Sequence, residues 1–132
     1  MNKFLCCLFF ISFAIQANDE CSNIQLSDQV FSCSKKAYEN SDAQLNNTYK
    51  KIITIITEEY KNQPNLKSEF IEKIKISQRA WISFRDANCA VYSFQIDSKS
   101  QAYETSIYSC KDDMTRKRTV ELNSILAQQI TF

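Results

Sequence analysis

The chain has 132 residues, enough for one domain of ordinary size, and we expect no second domain. Its 16 basic and 15 acidic residues nearly cancel, and this balance argues against nucleic acid as the main partner. The sequence contains neither His nor Gly, which excludes a His general base, a His metal ligand and the usual glycine-rich phosphate loops.

Residues 1–17 have the pattern of a signal peptide. A basic residue near the start precedes an apolar stretch over residues 4–15, and the small residue Ala17 stands before the polar Asn18. The apolar stretch is shorter than a membrane-spanning helix, and no later segment is apolar enough to span. We therefore predict that the leader is cleaved and that residues 18–132 form a single domain in the periplasm or outside the cell.

The cysteines predict two disulfides. Two of the six lie in the leader without the small preceding residues that a lipoprotein cysteine needs, so lipid attachment is the weaker alternative. An even number in the rest of an exported chain favours disulfides over metal binding or catalysis. Three pairings are possible, and we predict the one in which each disulfide closes a short loop. Its pairs are Cys21–Cys33 and Cys89–Cys110.

The first predicted helix begins after Ser27, as its N-cap, and runs to about Lys61. Its apolar stripe consists of Val30, Ala37, Tyr38, Leu45, Tyr49, Ile52, Ile53, Ile56 and Tyr60. Helical spacing predicts another apolar residue at position 42, where the chain has Asp42, so this carboxylate needs a partner. The isoleucine-rich run at 52–56 has strand-like composition and is the one place where a strand could be mistaken for a helix.

The second predicted helix follows a turn at 62–65, with Asn65 as its cap, and runs from Leu66 to about Phe94. Its inward positions include Phe70, Ile74, Trp81, Phe84, Cys89 and Tyr92. A break at 97–100 precedes a third helix whose stripe includes Tyr103, Ile107, Cys110, Met114, Arg118, Leu122, Ile125 and Leu126. With no Gly and one Pro, the chain is predicted to be all-α, an antiparallel bundle of three long helices linked by two disulfides.

Charged residues on inward stripes require partners inside the bundle. A carboxylate and a guanidinium on neighbouring helices can satisfy each other, so we predict that Asp42 pairs with Arg85 or that Arg118 replaces Arg85. Tyr49 and Gln78 are predicted to bind the remaining oxygens and protons. Such a network sets the register of the helices and has a structural role.

Catalytic interpretations of the sequence are weak, and we predict that the protein is not an enzyme and binds no cofactor or metal. Ser32 and Lys35 match the S-x-x-K pattern, but the companion motifs of that enzyme class are absent. Two acidic pairs could resemble a glycosidase site, although adjacent side chains on a helix diverge. These are Glu58 with Glu59 and Asp112 with Asp113. The lone Trp81 is interpreted as a core anchor.

Three separated motifs follow one another in the mature chain. They consist of Asp42, Leu45, Asn46 and Tyr49, then Gln78, Trp81, Arg85, Asp86 and Cys89, then Cys110 with Thr115, Arg118 and Leu122. With Cys33 upstream of the first motif, the chain resembles the LprI-like lysozyme-inhibitor family over nearly its whole mature length. The resemblance implies a small exported helical domain of the bacterial envelope, with lysozyme inhibition in some members.

The sequence is consistent with two functions. The resemblance implies an inhibitor that blocks the cleft of lysozyme or another peptidoglycan hydrolase. Lysozymes are commonly basic, so the candidate contact residues are acidic, and they are Glu58, Glu59, Asp112 and Asp113. The alternative is a non-enzymatic periplasmic adaptor or immunity-type binding protein, which an exposed apolar stripe would favour.

Overall fold

The computed structural model describes residues 21–130, and the predicted signal peptide at 1–17 lies outside them. Three helices make up the fold: α1 (Ser27–Glu59), α2 (Pro64–Tyr92) and α3 (Gln101–Ile130). The isoleucine-rich run at 52–56 lies inside α1, and residues 21–130 contain no strand. The predicted all-α bundle of three long helices is confirmed.

Two helix starts differ from the prediction. Ser27 is the first residue of α1 and not its cap, because Gln29 Oε1 accepts a hydrogen bond of 3.0 Å from the backbone N–H of Leu26. Helix α2 begins at Pro64 and not after an Asn65 cap. Proline suits the first helical position because the N–H that it lacks would have no partner within the helix there.

Consecutive helices run antiparallel, so α1 and α3 are parallel to each other. Near their starts, the rings of Phe31 and Tyr108 lie 5.9 Å apart and the hydroxyls of Ser34 and Ser109 lie 3.3 Å apart. Helices α1 and α3 pack together most extensively, whereas α1 and α2 make the fewest contacts. The bundle is therefore a close α1–α3 pair with α2 packed against one side.

The apolar core occupies the half of the bundle near the C-terminal ends of α1 and α3. Its buried members are Leu45, Ile52, Ile56, Ile74, Leu122 and Leu126. Three residues predicted to point inward are instead exposed: Val30, Phe84 and Tyr92. Phe84 directly precedes the buried Arg85, and adjacent helical residues point about 100° apart. Helix α2 thus has apolar residues on its outer side as well as its inner side.

Both predicted disulfides are present. Cys21–Cys33 links the segment before α1 to the second turn of that helix. Cys89–Cys110 links the last turns of α2 to the first half of α3. Within residues 21–130, none of the helices combines the length and apolar character needed to cross a bilayer.

Candidate binding site

The buried guanidinium of Arg85 joins all three helices. Its Nη1 lies 3.5 Å from Asp42 Oδ1 on α1 and donates to Thr115 Oγ1 on α3 at 3.3 Å. Its Nε donates to Asp86 Oδ1 at 2.9 Å. The predicted pairing of Asp42 with Arg85 is present, at the long end of ion-pair distances. One side chain therefore holds the middle of the bundle in register.

A second buried guanidinium, that of Arg118, lies one layer further along α3. Its Nε donates to Gln78 Oε1 at 3.2 Å, and its Nη2 donates to Ser77 Oγ at 2.8 Å. Its Nη1 forms a 2.8 Å ion pair with the exposed Glu121. Arg118 thus links α3 to α2 alone, and it does not replace Arg85 beside Asp42.

The side chains predicted to complete the Asp42–Arg85 pair lie elsewhere. Gln78 accepts from Arg118, and Tyr49 packs against the apolar core. Asn46 instead donates to Asp42 Oδ2 at 3.0 Å, because it lies one turn further along the same helix face. The predicted roles of Tyr49 and Gln78 at this pair were wrong.

Trp81 separates the two arginines. Its ring centroid lies 5.3 Å from the Arg85 guanidinium carbon and 5.8 Å from that of Arg118. Tyr38 lies 5.4 Å from the same Arg85 carbon, and burial raises the pKa of its phenol even though Arg85 opposes this shift. Trp81 also packs against the apolar core. The stacked aromatic and guanidinium groups form an ordered layer above that core.

Asp86 receives hydrogen bonds from two cations. Besides Arg85, Lys111 Nζ on α3 lies 3.2 Å from Asp86 Oδ1. Partial burial acts to raise the pKa of the carboxyl, but the hydrogen bonds from Arg85 and Lys111 outweigh it and hold the pKa below its ordinary value. The ionised form of Asp86 therefore stabilises the fold.

We expect acid to weaken this contribution. Because the pKa of Asp86 is lower in the folded state, its contribution is complete above the unfolded-state pKa of about 3.9 and is lost as the pH falls below it. The half-exposed site limits the effect to about 1 kcal/mol. The urea midpoint of the wild type should fall between neutral pH and a pH below about 3. The fall between these two pH values should be smaller for Asp86→Asn. The exposed Glu39→Gln is the control, and an equal fall in Asp86→Asn and wild type would contradict the assignment.

A groove runs along the surface between α1 and α2, where these helices pack least closely. Its volume is about 390 Å³. Five motif residues line it, together with three residues of α2 that the sequence analysis missed. The motif residues are Asp42, Leu45, Asn46, Tyr49 and Gln78, and the missed residues are Lys75, Arg79 and Ile82. Lys75 and Ile82 lie one turn to either side of Gln78, and this spacing was the available signal for them, whereas Arg79 directly follows Gln78.

The four acidic candidates do not form one patch. Glu58 and Glu59 are exposed in the last turn of α1. Asp112 and Asp113 lie in the first half of α3, and because α1 and α3 are parallel they are far from that turn. Each is also paired within its own helix, Asp112 with Arg116 and Asp113 with Lys117. Only the α1 pair retains acidic character.

The motifs and disulfides of this chain match those of a known protein family. The sequence model described as "Lysozyme inhibitor LprI" matches residues 20–122, a range that includes all four disulfide cysteines and every motif residue. The chain belongs to the LprI family. This confirms the resemblance carried by the three motifs. LprI is an inhibitor family. Membership of this family, together with the two disulfides, indicates that the protein folds outside the cytoplasm.

Two further proteins are similar to this LprI family member. An uncharacterised protein of Rhizobium meliloti (strain 1021) is 28% identical over 130 residues, which cover 96% of this chain and 91% of that protein. The crystal structure of a DUF1311 family protein from Pseudomonas putida KT2440 has a TM-score of 0.70 at 23% identity. The match covers 80% of this chain and 99% of that one, and it shows that the two share the fold.

Proposed function

We propose that this LprI family protein inhibits a lysozyme or another peptidoglycan hydrolase by binding at its substrate cleft. The observation that carries the proposal is the family match over residues 20–122, which includes α1 and α2 complete and most of α3. The cross-linked bundle supports it, since a rigid scaffold loses little conformational entropy when it binds. The protein acts by binding and performs no catalysis.

The proposal includes export before folding. Residues 1–17 act as a cleaved signal peptide, and residues 18–132 fold as a single domain in the periplasm or outside the cell. Oxidising conditions there allow both disulfides to form. The same compartment brings the protein to hydrolases that attack peptidoglycan.

The contact surface extends over the α1–α2 groove and the acidic end of α1. The groove supplies an amide, a phenol and charged groups from Asn46, Tyr49 and Arg79. The exposed Glu58 and Glu59 supply the negative charge that would steer a basic hydrolase. Asp112 and Asp113 contribute less, because Arg116 and Lys117 neutralise them.

We expect dose-dependent inhibition of peptidoglycan lysis by a c-type lysozyme when the oxidised mature protein is added. The double substitution Glu58→Lys with Glu59→Lys should weaken inhibition by about tenfold, because charge at the rim of an interface changes the association rate. The exposed residues Glu39 and Glu104 supply the matched control, because Glu39→Lys with Glu104→Lys makes the same change in net charge away from the end of α1.

Reduction of the disulfides should abolish the inhibition. A folded, oxidised protein that leaves lysis unchanged at large molar excess would contradict the inhibitor proposal. If the two charge-reversal variants lost inhibition equally, the inhibitor proposal would stand. The assignment of the contact surface to the end of α1 would then be wrong.

A second function, that of a periplasmic adaptor, is favoured by one observation. Helix α2 has exposed Phe84 and Val91 on its outer side, and Phe94 continues the same side in the following turn. An exposed apolar stripe of this kind marks a protein-binding surface. In this alternative, a folded protein that inhibits no hydrolase would still be captured with a periplasmic partner.

A further inference from the structure

The α1–α2 groove presents hydrogen-bond donors from both of its walls. Helix α1 contributes the phenol of Tyr49, and α2 contributes the ammonium group of Lys75 and the guanidinium of Arg79. The buried Leu45 supplies apolar surface between the walls. A groove that combines an apolar base with a few convergent polar groups is the usual form of a binding site.

The three donors have no close acceptor within residues 21–130. Of the four arginines in that range, only Arg79 has a guanidinium that forms neither an ion pair nor a hydrogen bond there. Lys75 Nζ lies 3.9 Å from a Glu72 carboxylate oxygen, which is too far for a hydrogen bond. The hydroxyl of Tyr49 is likewise without a hydrogen bond in the described chain. These groups can therefore donate to a ligand.

The main acceptors of the groove are already used inside the bundle. Asp42 Oδ2 accepts from Asn46 at 3.0 Å, and Asp42 Oδ1 lies 3.5 Å from Arg85 Nη1. Gln78 Oε1 accepts from Arg118 at 3.2 Å. The groove thus offers a ligand donors and positive charge, which is the chemistry that binds a carboxylate. A guanidinium can bind a carboxylate through two parallel hydrogen bonds.

We propose that Arg79, with Lys75 and Tyr49 beside it, binds the catalytic carboxylates in the cleft of the hydrolase. This inference rests on the proposed function. Enzymes that hydrolyse glycosidic bonds hold two carboxyl groups beside the bond they cleave, in a cleft that is open to the substrate. Arg79 is exposed and has a long side chain, so its guanidinium can extend from the surface of α2 into such a cleft.

The spacing of the two cations suits a pair of carboxylates. Lys75 and Arg79 are one turn apart on α2, which separates them by about 6 Å along the helix axis. The two carboxyl groups of a glycosidase lie about 5 to 10 Å apart. One cation can therefore reach each carboxylate. Arginine and tyrosine are also the residue types that contribute most binding energy at protein interfaces.

The test is a double-mutant cycle measured by isothermal titration calorimetry. The oxidised mature protein and its Arg79→Gln variant are each titrated into a c-type lysozyme and into a lysozyme whose catalytic acid is replaced by its amide. We expect each change alone to weaken binding by at least about tenfold. Both changes together should weaken it little more than either one alone, because the interaction that they share is already lost.

Lys36→Gln is the matched control. It removes the same charge from an exposed position of α1 that does not line the groove, and it should bind and inhibit as the wild type does. Position 79 is exposed on a helix and glutamine is a good helix former, so circular dichroism should show that Arg79→Gln stays folded.

The outcomes separate this inference from the proposed function. A wild type that neither binds nor inhibits lysozyme would overturn both. Wild-type inhibition that Arg79→Gln leaves unchanged, or binding losses that simply add in the cycle, would overturn the inference alone. Retention of the wild type on insoluble peptidoglycan without any hydrolase, lost in Arg79→Gln, would assign the groove to carboxylates of the peptidoglycan peptides and would overturn the inference too.

Discussion

Replacing both Cys89 and Cys110 with Ala should lower the free energy of unfolding by about 3 kcal/mol. The disulfide joins α2 to α3 across 21 residues of sequence, so its loss removes the restriction that this closed loop places on the unfolded chain. Both ends lie inside helices that stay ordered in the folded state, and Cys89 is fully buried. Urea denaturation followed by circular dichroism measures the change.

The Cys21–Cys33 disulfide provides the comparison. Removing it by the same double Ala substitution should cost clearly less, because the exposed residues 22–26 can then become disordered in the folded state as well. A cross-link stabilises a fold only where its loop remains ordered without it. Equal losses for the two disulfides would show that the N-terminal segment is as firmly held as the helix pair.

Arg85→Ala should destabilise the fold by a similar amount, about 3 kcal/mol. The substitution leaves Asp42, Asp86 and Thr115 without their shared donor and removes the cation stacked on Trp81. Partial exposure of the two carboxylates keeps the loss at the lower end of the range for a broken buried ion pair. The urea midpoint of the purified variant measures it.

Two further variants test whether the loss of stability in Arg85→Ala is caused by losing the geometry of the guanidinium. Arg85→Lys should recover only part of the stability, because an ammonium group cannot bond in the planar fork that reaches three partners. Lys73→Ala, which breaks a fully exposed ion pair with Glu69 on the same helix, should cost far less stability than Arg85→Ala. Full stability in Arg85→Lys would mean that charge alone suffices at this position.

The motif residues of the LprI family have two kinds of position in this protein. Arg85, Thr115 and Leu122 are buried and hold the helices together. Asp42 and Asn46 belong to the same bonded network and also line the α1–α2 groove. Substitutions at the first group therefore test stability. Substitutions at Asn46 can test binding with the bundle intact, because its hydrogen bond lies on the surface.

Much of the fold followed from local properties of the chain. Without Gly and with one Pro, the chain has few residues that break helices, so three long helices were predictable. The short-loop disulfide pairs were predictable for a similar reason, since cysteines close in sequence meet readily. Three motifs with fixed spacing were sufficient to indicate the family.

Partner choice inside the site depended on the tertiary structure. Periodicity placed Asp42, Gln78 and both arginines on inward stripes, but it did not show which layer of the bundle each would occupy. The packing sets Gln78 beside Arg118, brings Asn46 to Asp42, and leaves Tyr49 against the core.

The sequence by itself determined the helices and the family, because both depend on spacing along the chain. It favoured the short-loop cysteine pairs among three possible pairings, and the structure settled that choice. Tertiary structure decided that α1 and α3 form the most closely packed pair, and it decided the groove beside α2 and the exposure of Phe84. These features depend on how the helices rotate and approach one another. Hydrophobic periodicity shows that a helix has an apolar side, but when α2 has two such sides only the packing decides which one is buried.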